Sequence, residues 1–135
     1  MQNNTTAVFE AFAKQAAKRL EERKKHRTER LRVKSLDDME IEIRGLSDSE
    51  LNDCFEFSDD PIEVDRYTLY MASKTLQEAG KILVANGTLQ QEYKIAEMFS
   101  NSERRFLAQR VLLLSGVTEE AGIKIIKETE EVKNS

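Results

Sequence analysis

The sequence predicts a small, mainly α-helical domain with at most one short β element, around residues 39–43, and a basic N-terminal helical arm. Three observations predict it. The stretch Met98–Val117 carries Leu107, Val111 and Leu114 at i, i+4 and i+7, with Phe106 and Leu113 beside them, a broad apolar stripe on one helix face. The 135 residues include one Pro, five Gly and no Trp, too few turn formers for an all-β fold. Charge is divided: residues 1–35 hold ten Lys/Arg against four Asp/Glu, and the remainder holds 11 against 21, so a cationic arm precedes an anionic body. The division is therefore placed as arm 1–35 and body 36–135.

In chain order, Thr5 or Thr6 can cap a first helix. Its narrow stripe is Phe9, Phe12, Ala13, Ala16 and Leu20. Glu21 to Arg30 contains no hydrophobic residue, and it reads as a solvated helix or a frayed hinge before Leu31. Met39, Ile41 and Ile43 alternate with Glu40, Glu42 and Arg44, the one clean period of two. Gly45 ends it. Ser47 and Glu50 then form a capping box for a helix from about Asp48 to Phe57. Ser58-Asp59-Asp60-Pro61 reads as a loop.

The spacing of Leu69, Ala72, Leu76 and Ala79 predicts one helix from about Glu63 to Glu78, with Gly80 weakening its end. Ile82-Leu83-Val84 fits either a last helical turn or a strand. Asn86-Gly87 is a turn, but the following LQQEYKIAEMF has helical spacing, so a hairpin is rejected. Ser100 and Glu103 make a second capping box for the central helix, and Gly116 fits a left-handed stop. Thr118 can cap a last helix, with Ile123, Ile125, Ile126 and Val132 as a partial apolar face and a polar, frayed tail after it.

Catalytic and cofactor chemistry is not visible in these patterns. His26 and Cys54 are each single, which leaves neither a nucleophile with its base nor a transition-metal ligand set. Pro61 interrupts the acidic run Asp59–Asp65, which lacks the spacing of a calcium loop. The five glycines are isolated, so no phosphate loop is present. A single cysteine suits a reducing compartment, and no apolar run reaches the ~18 residues of a membrane span. The N-terminus lacks the pattern of a secretory signal, so an intracellular protein is expected. The basic residues from Lys14 to Lys34 could neutralise phosphates, but glutamates interrupt them and the body is acidic.

One arrangement resembles a known family. An alternating strand ending in Arg-Gly-Leu-Ser (MEIEIRGLSDSEL) is followed by DRYTLYMASKTL, then LVANGTLQQEYKIAEMF, then SERRFLAQRVLLLSGV. That order, over about Leu36–Val117, is similar to the tail assembly chaperones of long-tailed phages and prophages. The chain departs from the family at Asn86, where a Pro is common, and at Asn101-Ser102-Glu103, where Pro-Gly-Glu is common.

The resemblance implies a non-enzymatic chaperone that coats the tape measure protein in the host bacterial cytoplasm and is absent from the mature virion. It also implies a longer form, made by frameshifting near Val132-Lys133-Asn134, that engages the tail tube protein. No catalytic residue, cofactor, metal or membrane is expected. The contact candidates are Phe9, Phe12, Ala16 and Leu20 of the first helix and Ile123 and Ile126 of the last, unless these pack on the chain's own core. Homo-oligomerisation through the two-Phe stripe is a further expectation. The alternative function is a nucleic-acid-binding regulator that uses the basic arm.

Overall fold

The computed structural model describes residues 4–117 and 121–127. It is mainly helical, with a single two-stranded antiparallel sheet. Helix α1 spans Asn4–Arg23, strand β1 Thr28–Val33 and strand β2 Met39–Arg44. Helices α2 (Asp48–Glu56), α3 (Pro61–Ala72) and α4 (Lys74–Ala85) follow. A 3₁₀ segment, Glu92–Met98, then leads into α5 (Asn101–Leu114).

Both capping boxes form as the sequence predicts. Ser47 Oγ accepts from the Glu50 N–H at 3.2 Å, and Glu50 Oε1 accepts from the Ser47 N–H at 3.1 Å. Ser100 and Glu103 repeat the exchange at α5, at 3.2 and 2.7 Å. Each box satisfies two N–H groups that the first turn leaves without helical partners. At the other end of α5, Gly116 takes φ +82. The Gly116 N–H reaches the Leu113 carbonyl and the Val117 N–H the Leu112 carbonyl, both at 3.0 Å. This is a Schellman ending, and glycine is suited to its left-handed residue.

Three elements differ from the sequence expectation. The end of the basic run is strand β1, not solvated helix or hinge. Register pairs Thr28 with Arg44 and Val33 with Met39. Leu31, Val33, Ile41 and Ile43 turn inward, while Arg30 faces Glu42 and Arg32 faces Glu40 on the outer side, each at 3.7 Å. Six residues of the proposed arm thus belong to the sheet. In isolation TERLRV offers only two apolar side chains, and its charges find complements only once β2 lies beside it.

The second difference is a break at Ser73 in the helix predicted over 63–78. Ser73 Oγ caps α4 by accepting from the Leu76 N–H, and Gln77 Nε2 donates to the Tyr70 and Met71 carbonyls that end α3. The run Ile82-Leu83-Val84 is the last turn of α4. Pro61 opens α3 at its first position, where its missing N–H costs nothing, with Asp60 as cap. Gly80 lies buried inside α4 rather than at its end, and its lack of a Cβ lets the 3₁₀ segment approach, since a Cβ there would sit 2.8 Å from the Glu92 carbonyl oxygen.

The third is the last helix. Residues 121–127 are not helical, and Ile123, Ile125 and Ile126 are exposed. The predicted cap Thr118, the acidic pair Glu119 and Glu120, and Val132 with the tail beyond it lie outside the described residues.

The sheet packs on α3, α4 and α5, and α3 lies at the centre of the helical layer. Ile43, Cys54, Leu69, Leu76 and Val111 are the largest fully buried apolar side chains among the described residues. Leu107 and Leu114 complete the buried stripe of α5, while Phe106 stays largely exposed beside it.

Arg44, at the end of β2, ties the sheet to α2. It donates to both Glu50 carboxylate oxygens, at 3.0 and 2.7 Å, and to the Gly45 carbonyl. These bonds hold the Glu50 carboxyl down at about 2, against an ordinary 4.5. A depressed carboxylate stabilises the fold above its unfolded pKa and loses that effect as pH falls through the folded one. The contribution should be complete above about pH 5 and gone near pH 2, amounting to about 2 kcal/mol after allowance for partial exposure. Urea midpoints of the wild type and Glu50→Gln should therefore differ most at neutral pH and converge in acid.

Candidate protein-binding surface

Helix α1 stands off the body. Twenty residues at 1.5 Å each make it about 30 Å long. Every residue from Thr5 to Arg23 is exposed except Ala16, which is half-buried. Phe9 is 66% exposed, Phe12 74% and Leu20 65%, so the stripe does not pack on the chain's own core. Val8, which the sequence reading passed over, is 63% exposed beside them. At its base the helix is tied down by Arg23, which donates to Asp48 Oδ2 at 3.0 Å. Both partners are solvent-exposed, and such a pair contributes little to stability.

The structure therefore groups Phe9, Phe12, Ala16 and Leu20 on one helix face. Ile123 and Ile126 are 85% and 98% exposed, on an irregular segment rather than a helix. Each of these sets shows apolar surface to solvent, as Met39, Phe55, Ile82 and Phe106 also do on the body.

Two apolar grooves flank the hairpin, and sequence periodicity did not reveal them. One, of about 490 Å³, lies between β1 and α5, with Leu31, Val33, Phe106 and Leu107 in its walls. The other, of about 430 Å³, lies between the hairpin turn and α4, with Leu36, Met39, Ile41, Leu76, Ile95 and Met98. Met39 escapes burial although it belongs to the alternating stripe, because it occupies the turn end of β2. A groove is a product of neighbouring elements, so no single segment carries its signature. Phe106, beside the apolar stripe of α5, was the available hint of the first groove.

A cleft of about 290 Å³ lies where α1 meets the body. Arg19, Arg23, Lys25, His26 and Arg27 line it, against Glu22 and the end of α5. It gathers cations that the sequence shows only as a run.

The ionisable groups elsewhere are built into the fold. Cys54 is buried among apolar neighbours, and desolvation pushes its thiol up. Tyr70 is pushed up to about 12, first by burial and then by its bond to Glu92 at 2.5 Å. Tyr93 donates to Glu63 at 2.7 Å, and Phe57 stacks on Tyr67 with centroids 4.1 Å apart. Arg104 is buried, with its Nε 3.6 Å from Asp65, an ion-pair distance without a hydrogen bond. Burial raises the Asp65 carboxyl in spite of that guanidinium. Among the described residues no group of three or more His, Cys, Asp or Glu is placed to hold a metal ion. No described helix is long and apolar enough to cross a membrane.

The chain matches no protein-family model, no curated protein and no solved structure.

Proposed function

We propose that this chain is a tail assembly chaperone of a long-tailed phage or prophage. In that role it keeps the tape measure protein dispersed in the host cytoplasm until tube subunits assemble, and it does not remain in the virion. The observation that carries the reading is the apolar surface of α1 and of residues 123–126, left uncovered beside a packed body. A long helical client offers amphipathic faces to such a surface. The resemblance over Leu36–Val117 supplies the identity of that client and of the tail tube protein as a second partner of a frameshifted form. The arm's cations add attraction that salt weakens, which suits a client that must later be released.

Co-expression tests the reading. The tape measure protein of the same genome should be recovered soluble with this chain and aggregate without it. Phe9→Asp with Phe12→Asp should reduce the soluble client at least about tenfold, while the unfolding free energy of the chaperone, from urea denaturation, changes by less than about 0.5 kcal/mol, as for other exposed sites. Ile123→Asp with Ile126→Asp tests the second surface. A client that stays insoluble beside the wild type would sink the proposal.

The cationic cleft favours a second reading, a nucleic-acid-binding regulator. Phosphate contacts by Arg19, Lys25 and Arg27 would give affinity that falls steeply with salt. Titration of random duplex DNA at low salt decides it, since absence of binding there removes this reading.

A further inference from the structure

We infer that α1 pairs antiparallel with α1 of a second copy of this chain, along the face of Phe9, Phe12, Ala16 and Leu20. The pairing is argued from the helix alone, and it competes with the client reading for the same face. Helix α1 gains almost nothing from tertiary packing on the described body, whereas most protein helices draw their stability from a buried apolar face. That face exists here, and nothing in the described body covers it. Val8, Phe9, Phe12 and Leu20 each keep roughly two-thirds of their surface exposed. Eight such side chains from two copies amount to about 1,000 Å², the lower bound for a specific interface.

Three features select the antiparallel arrangement. The large residues lie in the first half of the stripe and Ala13, Ala16 and Leu20 in the second, so reversal sets each phenylalanine against smaller partners. In a parallel pair Phe would meet Phe and Ala would meet Ala. Charge agrees: Asn4–Ala13 carries only Glu10, whereas Lys14–Arg23 carries four cations and two glutamates. An antiparallel pair lays the net −1 half against the net +2 half, while a parallel pair lays like against like. Finally, reversal places the two acidic bodies at opposite ends of a seam about 30 Å long, rather than side by side.

Closing this seam removes the α1 face from any client and leaves Ile123 and Ile126 free. Sedimentation from about 1 to 200 µM should show a monomer–dimer equilibrium, and Phe12→Asp should raise the dissociation constant at least about 30-fold. The variant's urea midpoint should stay unchanged, because α1 does not support the body. A nitroxide at position 6 (Thr6→Cys with Cys54→Ala) reads the orientation. For a seam centred between Ala13 and Ala16, an antiparallel pair separates the labels by about 25 Å along the axis. A parallel pair leaves them within about 10 Å and broadens the spectrum. A monomer at every concentration, or a dimer indifferent to Phe12→Asp, overturns the pairing. Broadening at position 6 overturns its direction.

Discussion

Gly45→Ala should destabilise the protein by about 3 kcal/mol, the largest cost expected of any single methyl group here. Gly45 sits between the end of β2 and the end of α5. A Cβ on it would overlap the Leu114 carbonyl oxygen and lie 2.8 Å from the Leu114 carbon and 3.2 Å from the Ser115 nitrogen. All three are backbone atoms, so no side chain can rotate away. The contact cannot open cheaply either. The Gly45 N–H donates to the Arg27 carbonyl at 2.7 Å, and the Leu46 N–H donates to Ser115 Oγ at 2.8 Å. Moving Gly45 away from α5 would therefore strain both hydrogen bonds, one to the residue just before β1 and one to the end of α5, as well as the core. Gly87→Ala is the control. Its φ of +83 imposes left-handed strain, but a Cβ there meets nothing within 4 Å. About 1 kcal/mol is expected at that site. Urea denaturation of the two variants measures the difference, and equal midpoints would show that the β2–α5 junction is looser than described.

Leu69→Ala should cost about 3–4 kcal/mol. Leu69 is fully buried on α3, the helix that contacts α2, α4, α5, the 3₁₀ segment and β2. The cavity left by its side chain would be walled by several elements, each fixed by others, so little collapse can relieve it. Ile82→Ala removes a similar volume from α4 at a site that is 65% exposed, and less than about 0.5 kcal/mol is expected there. A Leu69→Ala loss below 1 kcal/mol, in thermal or urea unfolding, would contradict the central place given to α3.

The stability and the binding predictions fall on different parts of the chain. Gly45, Glu50 and Leu69 hold the body together, and none of them belongs to the exposed surface. Phe9, Phe12, Ile123 and Ile126 lie on that surface. Substitutions there should alter association while leaving the unfolding midpoint in place.

What the sequence determined by itself is local. Capping boxes at Ser47 and Ser100, the stop at Gly116 and the stripe of α5 each depend on side chains within a few residues of one another, so periodicity and spacing read them correctly. The stripe Phe9–Phe12–Ala16–Leu20 was equally legible as a helix face. Whether it faced a core or solvent was not, because that depends on where the body sits relative to α1. Tertiary structure alone decided the partners. It made a strand of Thr28–Val33, since Arg30 and Arg32 are matched by Glu42 and Glu40 only across the sheet. It divided one predicted helix at Ser73, where a buried serine and Gln77 satisfy the broken ends. It left Ile123–Ile126 uncoiled, as nothing in the described body covers an apolar face there. Local hydrogen bonds fix where a helix starts and stops, but burial is a relation between segments distant in the chain, and a single segment cannot encode it.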